Sequence, residues 1–234
     1  DWRAAGGAAA YSARAELGPF HGLRPFAEYS GGRRGVPFLF DVADRPVLTE
    51  QSSVRVGGDF QRGGLHLGGA FVAVSADSLA SYGLPFDRGF GLFPGGEATG
   101  WEATARIPLF WEPLSLEGWY ARWTDASHWI YTPGEAWRAG LVYSHSPLPS
   151  GNLDLFARLE ARHRGAMAVP TGAAQTEVVP GNTVFDFYLQ IRVLTVRAFL
   201  LWENLFLRPD VQDFPDRAFF RQRLYYGVKW EFRN

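Results

Sequence analysis

Cysteine is absent from this 234-residue sequence. The chain can therefore form neither a disulfide framework nor a thiolate zinc site, and it offers no cysteine nucleophile. A long apolar run is missing as well, since no stretch of about 18 consecutive apolar residues occurs. That absence excludes a transmembrane helix. It does not exclude a transmembrane β-barrel, because the sequence signal of a barrel is alternation rather than a continuous run.

Net charge is also nearly absent. The 23 basic and 24 acidic residues leave a formal charge of -1, so no excess field draws nucleic acid or an anionic surface to the chain. We expect no nucleic-acid partner. The N-terminal residues lack the basic and apolar regions of a secretory signal, which indicates that processing removed one or that the chain begins within a longer protein.

Helical periodicity is the last missing feature, because no repeat of 3.6 residues persists over a useful window. Alternation is what remains. The predicted eighth strand is a clear example, with Leu155 and Leu159 on one face and Arg158 and Glu160 on the other. Eleven such strands are predicted, at residues 9–17, 23–30, 53–61, 65–75, 101–107, 114–120, 137–144, 153–164, 185–193, 196–203 and 224–232.

The connections between these strands alternate between short and long. The long ones lie at about 31–52, 77–100, 165–181 and 208–222. Transmembrane barrels have short periplasmic turns and long outer loops, so we expect the long connections to face outside and to contact a ligand. Odd-numbered strands then run toward the periplasm. Because bacterial barrels have an even number of strands, we expect at least one strand upstream, and the chain to be the C-terminal part of a larger barrel.

The predicted fold class is therefore all-β: an antiparallel up-and-down transmembrane β-barrel, with residues 1–234 forming a single barrel region. A soluble barrel would bury the apolar face inward, but eleven or more strands enclose a lumen wider than side chains readily fill. A polar, watered interior with an apolar exterior fits better. An open sandwich remains an alternative.

Charged residues on the polar face of these strands are predicted to line the inner wall, where most would pair across neighbouring strands. These positions are Arg14, Glu16, Arg55, Asp59, Glu102, Arg106, Asp154, Arg158, Glu160, Arg162, Asp186, Arg192, Arg197, Glu203 and Lys229. Four tryptophans near strand ends on the apolar face are predicted to form an interfacial girdle. They are Trp101, Trp137, Trp202 and Trp230.

The last strand is aromatic on one face and charged on the other. It resembles the C-terminal assembly signal of bacterial outer-membrane barrels, with the signal positions on Tyr225, Gly227, Trp230 and Phe232. The chain departs from that pattern by continuing past the final aromatic. This resemblance implies insertion into outer-membrane lipid by the barrel assembly machinery.

A longer segment resembles the end of TonB-dependent outer-membrane receptors. It comprises Trp202-Glu203-Asn204-Leu205-Phe206, a loop with Pro215-Asp216-Arg217, and the terminal strand; Asp216 replaces the glycine usual in that loop. The resemblance implies a receptor in the bacterial outer membrane that imports a scarce small-molecule nutrient, energised through TonB by an upstream region with a plug domain. A passive porin-like channel is the alternative.

An outer-membrane lipid hydrolase is a third hypothesis, based on Ser144-His145-Ser146. A hydroxyl nucleophile needs an adjacent imidazole base, but neighbouring residues of a strand point to opposite faces. The five histidines have no metal-like spacing. We therefore expect a protein that is not an enzyme, with no catalytic residue, metal or cofactor.

Overall fold

The computed structural model describes residues 9–35, 48–80, 92–124, 129–172, 175–208, 212–214, 217–218 and 222–230. Secondary structure within these ranges is β-strand throughout. In the same part of the chain, no helix is long and apolar enough to cross a membrane.

Fifteen strands follow one another within the described ranges. Their bounds are β1 Ala10–Glu16, β2 Leu23–Gly35, β3 Leu48–Arg62, β4 Leu65–Ala80, β5 Leu92–Pro108, β6 Leu114–Thr124, β7 Glu135–His145, β8 Leu153–Arg164, β9 Met167–Gly172, β10 Gln175–Val179, β11 Asn182–Val193, β12 Val196–Glu203, β13 Gln212–Phe214, β14 Arg217–Ala218 and β15 Arg223–Trp230.

Eleven of these strands form one antiparallel sheet, in the order β1-β2-β3-β4-β5-β6-β7-β8-β11-β12-β15. Each pairs with its sequence neighbour in this sheet, which is an up-and-down arrangement. The prediction of eleven alternating strands is confirmed. Among the described residues, β1 and β15 are the two edges of the sheet.

Four further strands lie in connections that we predicted to be loops. The pair β9 and β10 forms a hairpin within 165–181, and β13 and β14 form another within 208–222. These strands have only two to six residues each, so alternation is a weak signal there. The connections near 31–52 and 77–100 are also shorter than predicted, because β2 to β5 extend into them; residues 36–47 and 81–91 lie outside the described part.

The connection from β3 to β4 contains only Gly63 and Gly64. Both have positive φ, at 57° and 82°, and Arg62 pairs directly with Leu65 across them. Two central residues with φ above zero make the tight hairpin turn whose twist matches that of the strands. Glycine adopts this conformation without steric cost. We call the end of the sheet that carries this turn and the other short connections the turn end, and the opposite end the loop end.

Register divides the sheet into two chemically distinct faces. In β11 and β12, Leu189 pairs with Leu200 on one face, and Arg192 pairs with Arg197 on the other. We call the first the apolar face and the second the polar face. On β11 the apolar face runs from Phe185 to Val193, a length of about 27 Å at about 3.4 Å per residue. Tilted by about 45°, this projects to about 20 Å, close to the height of a barrel's lipid-facing band.

Segments at the loop end pack against each other. Ile130 forms a parallel bridge with Ala168 of β9, and the Tyr131 amide donates to the Ala168 carbonyl at 2.8 Å. Met167, Val169 and Val179 form a buried cluster with Tyr131 at its edge. The β9–β10 hairpin is therefore attached to the β6–β7 connection rather than extended into solvent.

Candidate functional site

The polar face is the candidate site. By register, all fifteen charged residues predicted for the inner wall lie on this one face of the main sheet. The structure therefore brings together residues that are up to 215 positions apart, from Arg14 to Lys229.

Charges of opposite sign alternate along the wall from β1 to β5. Arg14 contacts Glu16 at 3.3 Å and Glu28 at 3.6 Å. Arg55 contacts Glu28 at 3.6 Å and then Glu102 at 2.8 Å. The contact between Arg55 and Glu102 passes over the intervening strand β4. This is possible because the β4 residue opposite Glu102 is Ala70, whose methyl group leaves the space above the strand open.

A second alternating chain of charges runs from β5 to β11. Glu117 contacts Arg106 at 3.6 Å and Arg158 at 2.7 Å, and Glu160 contacts Arg158 at 3.6 Å and Arg162 at 4.0 Å. Arg162 donates from Nε to Asp186 at 2.6 Å. This chain contains three arginines and three carboxylates, so it is neutral as a unit and its charges are mutually compensated.

The remaining predicted wall residues form smaller groups. Arg192 donates from Nε to Asp154 at 2.6 Å, and Ser146 donates to the other oxygen of that carboxylate at 2.6 Å. Arg197 lies between Arg192 and Lys229 as the cross-strand partner of both. Three cations therefore adjoin a single carboxylate at the turn end of β8 to β15, which makes this the most positive part of the wall.

Two further predicted residues pair near opposite ends of the wall. Glu203 contacts Arg223 at 2.9 Å, and Asp59 lies 3.8 Å from the imidazole of His66. Sequence reasoning left Arg24, Glu28, Glu117 and Arg223 out of the wall, although each of them forms an ion pair on this face. Their position in the alternation is the same as that of the chosen residues, so the pattern alone was sufficient to find them.

Exposure is distributed in the reverse of a soluble protein. On the polar face, the side chains of Asp186 and Glu160 are 13% and 15% exposed. On the apolar face of neighbouring central strands, Leu141 and Leu159 are 40% and 43% exposed. Soluble monomers rarely expose a contiguous apolar patch larger than a few hundred Å², and this belt continues across all eleven strands. The apolar face therefore requires a nonpolar environment.

An apolar patch interrupts the polar face toward the loop end. Phe26, Ala70 and Val72 are buried together against Val74 and Trp123. Trp129 of the β6–β7 connection packs next to this patch, on Ala76 and Ala98. Alternation did not predict the patch, because the strands that contribute it were assigned a polar face as a whole.

Gly227 of the terminal strand is in close contact with the strand beside it. It pairs with Phe199, and a Cβ built at Gly227 would lie 2.8 Å from that phenyl ring. The glycine of the predicted assembly signal therefore leaves room for an aromatic ring on the polar face. Tyr225 shares this face and Trp230 lies on the other; Phe232 is outside the described residues.

All four predicted girdle tryptophans lie on the apolar face by register. The position of Trp101 differs from the prediction, because β5 begins at Leu92 and Trp101 lies well inside the strand. Trp101 is nevertheless at the boundary of the belt, since its partner Arg122 is close to the end of β6. The end of the strand does not mark the boundary of the apolar belt here, because β4 and β5 extend beyond the strands next to them.

The three residues of the hydrolase hypothesis do not assemble into a nucleophile and base. Ser146 donates to Asp154 rather than to an imidazole, and the ring of His145 contacts Tyr143 at 6.2 Å between centroids. Within the described residues, no group of three or more His, Asp or Glu side chains is placed to hold a metal ion.

These features define the class of fold. An up-and-down antiparallel sheet with one apolar and one charged face, short turns at one end and long connections at the other is the architecture of an outer-membrane β-barrel. The predicted fold class is confirmed.

Comparison with solved structures identifies barrels of this kind that the chain is similar to. One is the FrpB iron transporter from Neisseria meningitidis (F3-3 variant), with a TM-score of 0.64 and 17% identity over 95% of this chain. Another is the ferric yersiniabactin uptake receptor FyuA from Yersinia pestis, with a TM-score of 0.58 and 14% identity over 94% of this chain. The resemblance to TonB-dependent outer-membrane receptors is therefore confirmed at the level of the fold.

The chain corresponds to 39% of the length of FrpB and 35% of that of FyuA. No protein-family model matches the sequence, and no curated protein matches it either. The similarity is thus one of architecture.

Proposed function

We propose that this chain is part of the barrel of an outer-membrane transporter, a TonB-dependent receptor that imports a scarce nutrient into a bacterial cell. The observation that carries the proposal is the reversal of exposure between the two faces: compensated charges on the more buried face, and exposed aliphatic and aromatic side chains on the other. A bilayer covers the second face, and the first encloses an aqueous path.

The finer part of the proposal concerns the nature of the nutrient, and the structural neighbours support a first candidate. FrpB is an iron transporter and FyuA a receptor for ferric yersiniabactin, so a ferric chelate is the first ligand to test. The aromatic and apolar side chains of the apolar patch, which includes Trp123, provide a surface for a chelate with an organic shell together with the neighbouring Trp129.

The partners of this barrel follow from the mechanism. Residues 1–234 form a single barrel region completed by upstream strands, and a plug domain upstream connects the ligand to TonB. Assembly machinery recognises the terminal strand, and outer-membrane lipid surrounds the apolar face.

The test is uptake by a bacterial host that lacks its own ferric-chelate receptors and expresses the full-length protein to which this chain belongs. We expect accumulation of a radiolabelled ferric chelate that stops when the inner-membrane proton gradient is collapsed, since TonB draws on that gradient. Accumulation that persists after the collapse would establish the passive channel instead. The two chains of alternating charges between Arg14 and Asp186 are the feature that favours this second candidate, because a passive pore needs a charged constriction.

No uptake of any small solute, together with a chain that remains soluble without detergent, would contradict both transport candidates. Host cells carrying the empty vector provide the baseline.

A further inference from the structure

Six residues form a polar cluster on the apolar face, at the loop end of the lipid-facing belt. We call it the rim cluster. It consists of Trp101, Tyr120, Arg122, Glu135, Trp137 and His163. The wall described above lies on the opposite face of the same strands, so the rim cluster takes no part in the transport path.

Five of the six members form a connected network. Trp101 stacks on Tyr120 with 4.7 Å between ring centroids, and the Tyr120 hydroxyl donates to Glu135 at 3.3 Å. His163 lies 3.7 Å from the same carboxylate and stacks on Trp137 at 5.3 Å. Side chains held by several neighbours present a surface of defined shape.

Arg122 is the one member whose charge is not compensated by this network. Among the described residues its exposed guanidinium makes no hydrogen bond or ion pair. Its cross-strand neighbour Glu135 is engaged by Tyr120 and His163 instead. A guanidinium without a partner can bind a phosphate group through two parallel hydrogen bonds.

Trp101, Arg122 and Glu135 stand in one row across β5, β6 and β7. Strands are about 4.8 Å apart, so the row is about 10 Å long. These three side chains can together bind a phosphorylated sugar. The sugar ring stacks on the tryptophan, the phosphate pairs with the guanidinium, and the sugar hydroxyls donate hydrogen bonds to the carboxylate. A phosphodiester lipid without a sugar satisfies only the arginine.

We propose that the rim cluster binds the phosphorylated sugar headgroup of a glycolipid in the outer leaflet, with the acyl chains of that lipid lying against the apolar belt below. The proposal rests on the outer-membrane location proposed above. The glycolipid then anchors the barrel at a fixed height and orientation.

The experiment uses native mass spectrometry of the full-length protein to which this chain belongs, purified in detergent micelles, with a diphosphorylated disaccharide lipid (lipid A) as the probe. We expect one lipid A molecule to be retained, and Trp101→Ala or Arg122→Gln to weaken retention at least fivefold. Matched controls lie at the turn end: Trp111, which is 52% exposed against 47% for Trp101 and also packs against a tyrosine ring, and Arg62. Trp111→Ala and Arg62→Gln are expected to leave retention unchanged.

Two further probes separate the sources of the signal. Phosphatidylglycerol carries a phosphate without a sugar, and glucosamine 1-phosphate carries the headgroup without acyl chains; we expect each to bind at least tenfold more weakly than lipid A. Equal retention of phosphatidylglycerol, saturation by the free sugar phosphate, or equal loss in the turn-end controls would overturn the proposal.

Folding is monitored by circular dichroism for every variant. If Trp101→Ala fails to fold, Trp101→Phe and Arg122→Lys replace the test pair, since the first keeps a ring and the second keeps a charge while losing the fork. Failure of the chain to enter bilayers would contradict the transport function, whereas loss of lipid A selectivity in micelles would contradict only this inference.

Discussion

Glu117 of β6 and Arg158 of β8 meet at 2.7 Å although β7 lies between them. The residue of β7 that pairs with Glu117 is Gly140, which has no side chain to separate the two charges. A Cβ at this position would have ordinary contacts, the nearest being the Leu159 carbonyl oxygen at 3.5 Å. A small residue is therefore needed at this position by the ion pair above it, whereas the backbone itself does not require glycine.

This relationship predicts different outcomes for two substitutions at one position. Gly140→Ala is expected to be neutral, and Gly140→Leu to place a side chain between Glu117 and Arg158 and to cost about 1 kcal/mol, as expected for a partly exposed pair. Urea unfolding from lipid vesicles measures both. Gly69→Leu on the apolar face is the control, and an equal cost there would show that the effect is not electrostatic.

The assignment of faces is tested by arginine substitutions on β11 and β12. Leu189→Arg or Leu200→Arg is expected to cost about 2 to 4 kcal/mol, because both residues face hydrocarbon near the middle of the belt. Gln190→Arg and Leu201→Arg place the same charge on the watered face, where the cost is lost packing and local repulsion. Folding titrations into vesicles compare the four variants; comparable damage from Gln190→Arg and Leu189→Arg would mean that the faces are assigned the wrong way round.

The contact between Gly227 and Phe199 predicts a compensating pair. Gly227→Ala is expected to lower stability by about 1 to 3 kcal/mol, since the added methyl lies too close to the phenyl ring and over-packs it. Phe199→Ala in the same chain removes the ring and should recover most of the loss attributable to the methyl. A double-mutant cycle of unfolding free energies checks this, and strictly additive costs would show that the two residues do not interact.

The connection between β4 and β5 provides a test of ligand contact. Ala80 and Leu92 are cross-strand partners, so a Gly-Gly link in place of 81–91 closes the hairpin without disturbing a pair. We expect the variant to fold normally and the full-length protein to lose ligand uptake, because specificity resides in loops on a rigid scaffold. Unchanged uptake would remove this connection from the binding surface. A deletion of 77–100 would be uninformative, since it removes paired strand residues.

An ion pair of the wall near the loop end can be measured by the same methods. In the Arg162–Asp186 pair the side chain of Asp186 is 13% exposed, whereas that of Arg162 is 44% exposed. A cycle of Arg162→Met and Asp186→Asn is expected to give a coupling of about 1 kcal/mol, which falls when salt is raised. A coupling that is insensitive to salt would indicate that packing of the arginine stem carries the effect.

Local alternation determined which residues share a face. The eleven strands of the main sheet, the fifteen charged wall positions and the apolar belt all follow from a period of two, because a one-residue change of register would reverse every side chain. The sequence also indicated the resemblance of the terminal segment to TonB-dependent receptors, which the fold supports.

Tertiary structure alone decided which residues meet across a strand. The contact of Arg55 with Glu102 depends on Ala70, and that of Glu117 with Arg158 depends on Gly140, so each pairing is set by a small residue on a third strand. The hairpins in the long connections and the burial of Trp129 against Ala76 and Ala98 were likewise beyond the sequence. Alternation reports the two faces of a strand, whereas these contacts depend on the curvature of the sheet and on which neighbours lie side by side.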